Sequence, residues 1–243
     1  YHDLRDAAVS RVLALIQGRK RCCGADRLMR LAIMQPYLLP YIGYYQLIDI
    51  ADKLVVYDTI QYTKKGWINR NRMLRNGAPV TFTVPVAKGS DYLNVRDRYV
   101  ADSYDPAKLV AQIEGAYRKA PNFDAAMPVI RDVLDYRYGS LFDFLKHGLE
   151  RPCAYLGVET EIVVASDVEG ETDLRGQDRV VNLCRQLRAD EYVNPIGGLD
   201  LYDAGYFEEQ DIKMDFIRTT AVAYTQFDSP IQPKLSKVAV MKF

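Results

Sequence analysis

Short apolar runs alternate with helical patterns along this chain. Residues 31–35, Leu-Ala-Ile-Met-Gln, make the first such run and stop before Pro36 and Pro40. A helical pattern follows over 42–51, then a second apolar run over 53–57. Strand, turn, helix and strand within about thirty residues predict a βαβ unit, whose right-handed crossover makes its strands parallel. Residues 79–85 and 93–100 read as two more strands, antiparallel across the turn signal Gly89-Ser90-Asp91. Over 106–120, Leu109, Ile113, Ala116 and Tyr117 recur at helical spacing, with Asp105 or Ser103 as the N-cap. Helices are expected over 127–136 and 140–156, a strand over 161–164, a helix over 176–187, a strand over 191–194, a helix over 201–210 and a strand over 213–217. This order predicts an α/β fold, a Rossmann-like and mostly parallel sheet with helices on both faces.

The first thirty residues do not continue that rhythm. They carry Arg19-Lys20-Arg21 and the pair Cys22-Cys23, with an amphipathic helical pattern over 8–16, and they precede two plausible starts at Met29 and Met34. We expect residues 1–30 to be an extension outside the core, translated from upstream of the true start, and residues 31–243 to form one domain. No internal repeat or low-complexity linker divides the remainder.

Composition narrows the class. At 243 residues the chain can bury a sizeable core, and 49% apolar with 26% charged residues exclude disordered, collagen-like and coiled-coil classes. Thirty-two basic residues balance thirty-two acidic ones, so no overall field recruits nucleic acid or an anionic membrane. Two histidines and four scattered cysteines show no metal-ligand spacing, and no metal site is expected. Cys153 and Cys184 fall on apolar helical faces, where a thiol packs rather than reacts. No apolar run is long enough for a signal-peptide core or a membrane span, and a reducing cytoplasm is the expected location. Tyrosine is the unusual feature: 18 residues against 8 Phe and 1 Trp, enough to line a polar ligand site or to edge a core.

Three segments could carry chemistry. Gln35-Pro-Tyr37-Leu-Leu-Pro-Tyr41-Ile-Gly43-Tyr44 spans the end of the first strand and the start of the first helix, where open parallel sheets hold ligands. Gly43 lets a ligand approach the backbone, free N–H groups at the helix start can receive an anion, and Tyr41 and Tyr44 share a helical face. The same tyrosines could instead pack the first turn. The second segment follows the second strand and contains Asp58, Gln61, Lys64, Lys65, Trp67, Asn69, Arg70, Asn71 and Arg72. Residues 59–90 hold six cations and no acid, which leaves the rest of the chain at −6. Cations for charge, a flat ring for stacking and amides for orientation suit a phosphate-bearing ligand; a solvated basic loop is the alternative. The third segment is Tyr192-Val-Asn194-Pro-Ile-Gly197-Gly198, where two glycines can expose N–H groups as an anion nest and Asn194 offers an amide. Gln177 and Arg179, at the start of the preceding helix, could face the same crevice.

With these segments in view the chain resembles the WbqC-like protein family of bacteria. The resemblance rests on residues 34–48, Val56-Tyr-Asp58 with Gln61-Tyr62, residues 65–72, residues 194–198 and Tyr224-Thr-Gln-Phe227. It departs from the family before Met34 and after Phe227, where Lys234 and Lys237 stand at positions that look apolar in the family. The family is associated with gene clusters for O-antigen and other surface polysaccharides, which implies work on a nucleotide-linked sugar. A weaker resemblance is to nucleotidylyltransferases and pantothenate synthetases, with Tyr41-Ile-Gly-Tyr44 in the place of a His-x-Gly-His signature. Tyrosine cannot supply an imidazole's charge near neutrality.

The expected function is therefore group transfer, acyl or aminoacyl, to a nucleotide-linked sugar or other phosphate-bearing small molecule. Lys64, Lys65, Arg70 and Arg72 would neutralise phosphates, Trp67 would stack on a base or sugar, and Asn69, Asn71 and Asn194 would orient polar groups. Asp58 would act as general base, its alternative being a turn or helix cap. No cofactor is identified. The competing reading is a non-catalytic nucleotide- or sugar-binding module or scaffold in the same pathway.

Overall fold

A computed structural model describes residues 28–137, 139–170 and 173–218. The expected helix over 8–16 and the segment 224–227 lie outside the described residues.

The apolar runs become five parallel strands: β1 (Arg30–Met34), β2 (Lys53–Val56), β5 (Glu161–Val164), β6 (Glu191–Pro195) and β7 (Lys213–Ile217). They are ordered β5-β2-β1-β6-β7, with Leu31 opposite Lys53 on one side and Tyr192 on the other. Successive side chains alternate between two apolar layers. Ala32, Leu54, Val56 and Val193 enter one layer with α1 (Ile42–Ile50), α2 (Pro106–Tyr117), α3 (Phe123–Asp135) and α4 (Leu141–Tyr155). Leu31, Ile33, Val55 and Tyr192 enter the other with α5 (Gly176–Gln186) and Phe207 of α6 (Ala204–Glu208). The fold is thus α/β with helices on both faces, as the alternation implied. Because the chain leaves β1 toward one layer and β6 toward the other, their C-terminal ends form the sheet's topological switch point, the place where open α/β sheets hold ligands in a crevice.

Local signals explain the helix starts. Asp105 accepts a hydrogen bond from the Lys108 N–H, with Pro106 beginning the helix, so Asp105 rather than Ser103 is the cap of α2. Ser140 and Asp143 form a reciprocal capping box at α4.

Two expectations need correction. Residues 93–100 form no strand against 79–85; their antiparallel pairing is reduced to isolated bridges, Val100 with Val86 and Asn94 with Gln61. The antiparallel hairpin is instead β3 (Arg70–Arg75) with β4 (Ala78–Thr83), closed by Asn76 and Gly77, both at positive φ. That pair suits the tight hairpin turn whose twist matches the strands. Residues 93–100 contain a single 3₁₀ turn, Val95–Asp97, because the buried Arg98 side chain turns back to donate to the carbonyls of Ala87 and Ser90 at 3.1 and 3.0 Å. The single helix expected over 201–210 is split into a 3₁₀ turn, Ile196–Leu201, and the short α6. Asp203 interrupts it by capping the Gly205 N–H at 2.9 Å.

Candidate functional site

The crevice is built at the strand ends. On the β1 side, Tyr44 donates from its hydroxyl to the Gln35 carbonyl at 2.7 Å and meets Tyr37 edge-on at 6.0 Å. Tyr44 is fully buried, so it packs the first turn while tying down the loop, whereas Tyr37 and Tyr41 are half-buried and reach its surface. Burial raises the phenol pKa of all three, most strongly that of Tyr44. They stay neutral, hydrogen-bonding groups near pH 7. Gly43 is buried at the start of α1, and no side chain caps that helix.

Asp58 stands two residues beyond β2 and is 2% exposed. Its Oδ1 accepts the Ser166 N–H at 3.0 Å, and the Arg96 guanidinium lies 3.8 Å from its Oδ2. The carbonyl of the same Ala165–Ser166 peptide accepts from the guanidinium of Arg179, also 2% exposed, at 3.3 Å. One peptide plane therefore has a carboxylate on its N–H edge and a guanidinium on its C=O edge. Beside Arg179 is Tyr57, whose phenol is raised by burial and partly brought back by that cation. Gln177 accepts from the Asp203 N–H at 3.3 Å, across to the turn that follows β6.

At the end of β6, the buried Asn194 lays its amide against Gly198, where a Cβ would meet its Nδ2 at 2.1 Å. Only glycine leaves room for that amide. Gly197 faces open space.

The amides of the second segment are occupied by the fold. Asn69 donates to the Val84 carbonyl at 2.7 Å and accepts from the Tyr62 hydroxyl at 3.0 Å. Asn71 donates to the carbonyls of Leu38 and Leu39, both at 2.9 Å, and the Leu38 N–H returns a bond to Ile68. The basic segment is thereby joined to the loop after β1 as one continuous wall. Gln61 donates to the Asp91 carbonyl at 2.7 Å and Lys64 pairs with the Asp91 carboxylate at 2.6 Å, while Lys65 is exposed. Trp67, 39% exposed, has the guanidinium carbons of Arg70 and Arg72 at 5.2 and 5.1 Å from its ring centroid.

Tyr57, Arg96 and Ser166 were not singled out from the sequence. Arg96 and Ser166 come from distant parts of the chain, and only the topology brings them to Asp58. Tyr57 carried a signal, because it ends an apolar strand just ahead of Asp58. Cys153 and Cys184 are both buried, and burial pushes the Cys184 thiol up to about 12, so it carries essentially no thiolate at neutral pH. His147, the one histidine among the described residues, stacks on Tyr136 at 4.4 Å. Among the described residues no helix is long and apolar enough to cross a membrane.

The model of the WbqC-like protein family matches residues 35–243. A protein of Mycobacterium tuberculosis, "Uncharacterized protein Rv1507c", is 31% identical over 191 residues, covering 76% of this chain and 80% of that protein. No solved structure matches the chain significantly.

Proposed function

The chain belongs to the WbqC-like protein family, and from that premise we propose that it is a cytoplasmic enzyme transferring an acyl or aminoacyl group to the amine of a nucleotide-linked sugar in surface-polysaccharide biosynthesis. The observation that carries this reading is Asp58. A carboxylate 2% exposed, at the C-terminal end of a parallel sheet, is held by one backbone N–H and faced by a cation at 3.8 Å. Such a group is pre-oriented to take a proton from an incoming nucleophile.

In the proposed step the sugar nitrogen attacks the carbonyl carbon of an activated acyl ester or thioester. A C–N bond forms, the bond to the leaving group breaks with its electron pair, and Asp58 receives the amine proton. Tyr37 and Tyr41 line the β1 wall, Asn194, Gly197 and Gly198 the β6 wall, and Arg179 and Arg96 supply positive charge near the reacting groups. Gln35, Gln61, Lys64 and Lys65 belong to the rim.

Incubating the protein with nucleotide amino-sugars and activated acyl donors should give a product heavier by the acyl group, and Asp58→Asn should abolish it. Binding without turnover in the parent would favour the competing reading, a sugar-nucleotide binding module. That reading draws support from His147, which packs against Tyr136 and Asp132 and supplies no imidazole beside Asp58.

A further inference from the structure

The β3–β4 hairpin presents a second collection of donors. Arg70 and Arg72, two residues apart on β3, point to the same side of the ribbon, and their register partners on β4, Thr83 and Thr81, share that side. Around these four residues burial agrees: Asn71 and Phe82 on the other side are buried, Arg70 and Arg72 are half-buried and Thr81 and Thr83 are exposed, whereas Leu74 farther along the same side is buried. Two guanidinium groups and two hydroxyls therefore form one outward patch.

Trp67 completes it in an unexpected way. With both guanidinium groups against its ring, the indole is already engaged by cations. It holds two positive charges near each other. Arg70 is steadied further by its bonds to the carbonyls of Gly66, at 2.7 Å, and Lys65. Arg72 makes no such bond, and its Nε is buried without a hydrogen-bond partner. Among the described residues, the ion pair of Lys64 with Asp91 is the one made by the six cations of residues 59–90, so no carboxylate neutralises the Arg70–Arg72 pair. Like charges held this close repel, and an anion with several acceptor oxygens relieves the repulsion while meeting the donors.

We propose that Arg70, Arg72, Thr81 and Thr83, with Trp67 holding the two guanidinium groups, form an anion clamp that takes a diphosphate group. The inference rests on the nucleotide-sugar reading for what carries that diphosphate. It assigns the phosphates to the hairpin and leaves the crevice around Asp58 for the sugar. Recognition is by guanidinium and hydroxyl donors, not by base stacking on Trp67.

The test is calorimetric titration of the full chain with inorganic pyrophosphate and with orthophosphate, at low and high salt. Pyrophosphate should bind more tightly than orthophosphate and lose affinity as salt rises. Arg72→Gln should weaken it about tenfold or more, because a charge-assisted contact is removed. Trp67→Ala should also weaken it, by releasing the two guanidinium groups. Arg70→Gln could disturb the 65–66 turn, so Arg72→Gln, whose side chain holds no backbone group, is the deciding variant. Unchanged pyrophosphate affinity in a folded Arg72→Gln, or no pyrophosphate binding by the parent, overturns the clamp. Arg72-dependent pyrophosphate binding without acyl transfer to any nucleotide sugar would sustain the clamp and overturn the enzyme reading, so the two can fail separately.

Discussion

At the N-terminal end of the parallel strands, Arg30 and Lys213 reach Glu191 at 2.8 and 3.1 Å, and Lys53 reaches Glu161 at 3.0 Å. These partners sit opposite one another in the strand register, so the sheet itself pairs them. At the C-terminal end, Asp58 and Arg179 share the two edges of a single peptide, with Arg96 at 3.8 Å from Asp58 and Asn182 accepting from Arg179 at 3.2 Å. Charges that neutralise one another across strands complete a structure. Charges steadied in part by neutral backbone and amide groups, with an ion pair only at the longer distance of 3.8 Å, keep more of their field for something else. The contrast is the physical reason for placing stability at one end of the sheet and chemistry at the other.

The largest expected effect comes from breaking the first end. Glu191→Ala should cost about 3 kcal/mol, because it strips a buried carboxylate from two cations. The midpoint in urea should fall accordingly. Asp58→Asn should cost only about 1 kcal/mol while abolishing transfer. If Asp58→Asn destabilised the protein as much as Glu191→Ala, Asp58 would be a structural cap and the contrast would collapse.

A second measurement addresses the tyrosines. Burial raises the phenols of Tyr44, Tyr45 and Tyr192 well above their ordinary value. The folded state therefore keeps protons that the unfolded chain releases above pH about 10. Their contribution is complete below that pH and is lost as pH rises through the folded values. Denaturant midpoints measured from pH 9 upward should fall, and Tyr44→Phe should flatten the decline.

Smaller effects follow. Cys153 and Cys184 should resist a thiol reagent at neutral pH in the native protein and react on unfolding, since both are buried. Lys64→Ala should change stability by less than about 0.5 kcal/mol, because both it and Asp91 are exposed. A larger loss would mean that the rim of the ligand wall depends on ion pairing after all.

The parallel strands were legible because each is a short apolar run bounded by polar residues; the spans 161–164 and 213–217 matched the observed strands. The hairpin was misread for a reason visible in β3. One side carries Arg70 and Arg72 ahead of the buried Leu74, and the other carries Asn71 and Arg75 around Met73, so the alternation in Arg-Asn-Arg-Met-Leu-Arg is hidden under polar residues. Asn76-Gly77 was the missed signal. For the site, residue type located the strand ends but not the duties of the side chains there. Asn69 and Asn71 have the chemistry of ligand-orienting amides, yet they bond backbone carbonyls, which no local pattern reveals. Arg96 and Ser166 join Asp58 through loops far apart in the chain, a juxtaposition set by topology alone.

The central place of β1 has a consequence for the order of folding. Its neighbour β2 is available soon after synthesis, whereas Arg30 meets Glu191 across a sequence separation of 161 residues. During elongation the middle strand of the sheet therefore keeps one edge open until most of the polypeptide has been made. Closing so long a loop is slow and leaves apolar strand edges exposed meanwhile. Variants that weaken the Arg30–Glu191–Lys213 ladder should then lower the yield of folded protein during synthesis more than their equilibrium stability alone would indicate, through nascent chains that associate at the unpaired edge before β6 arrives.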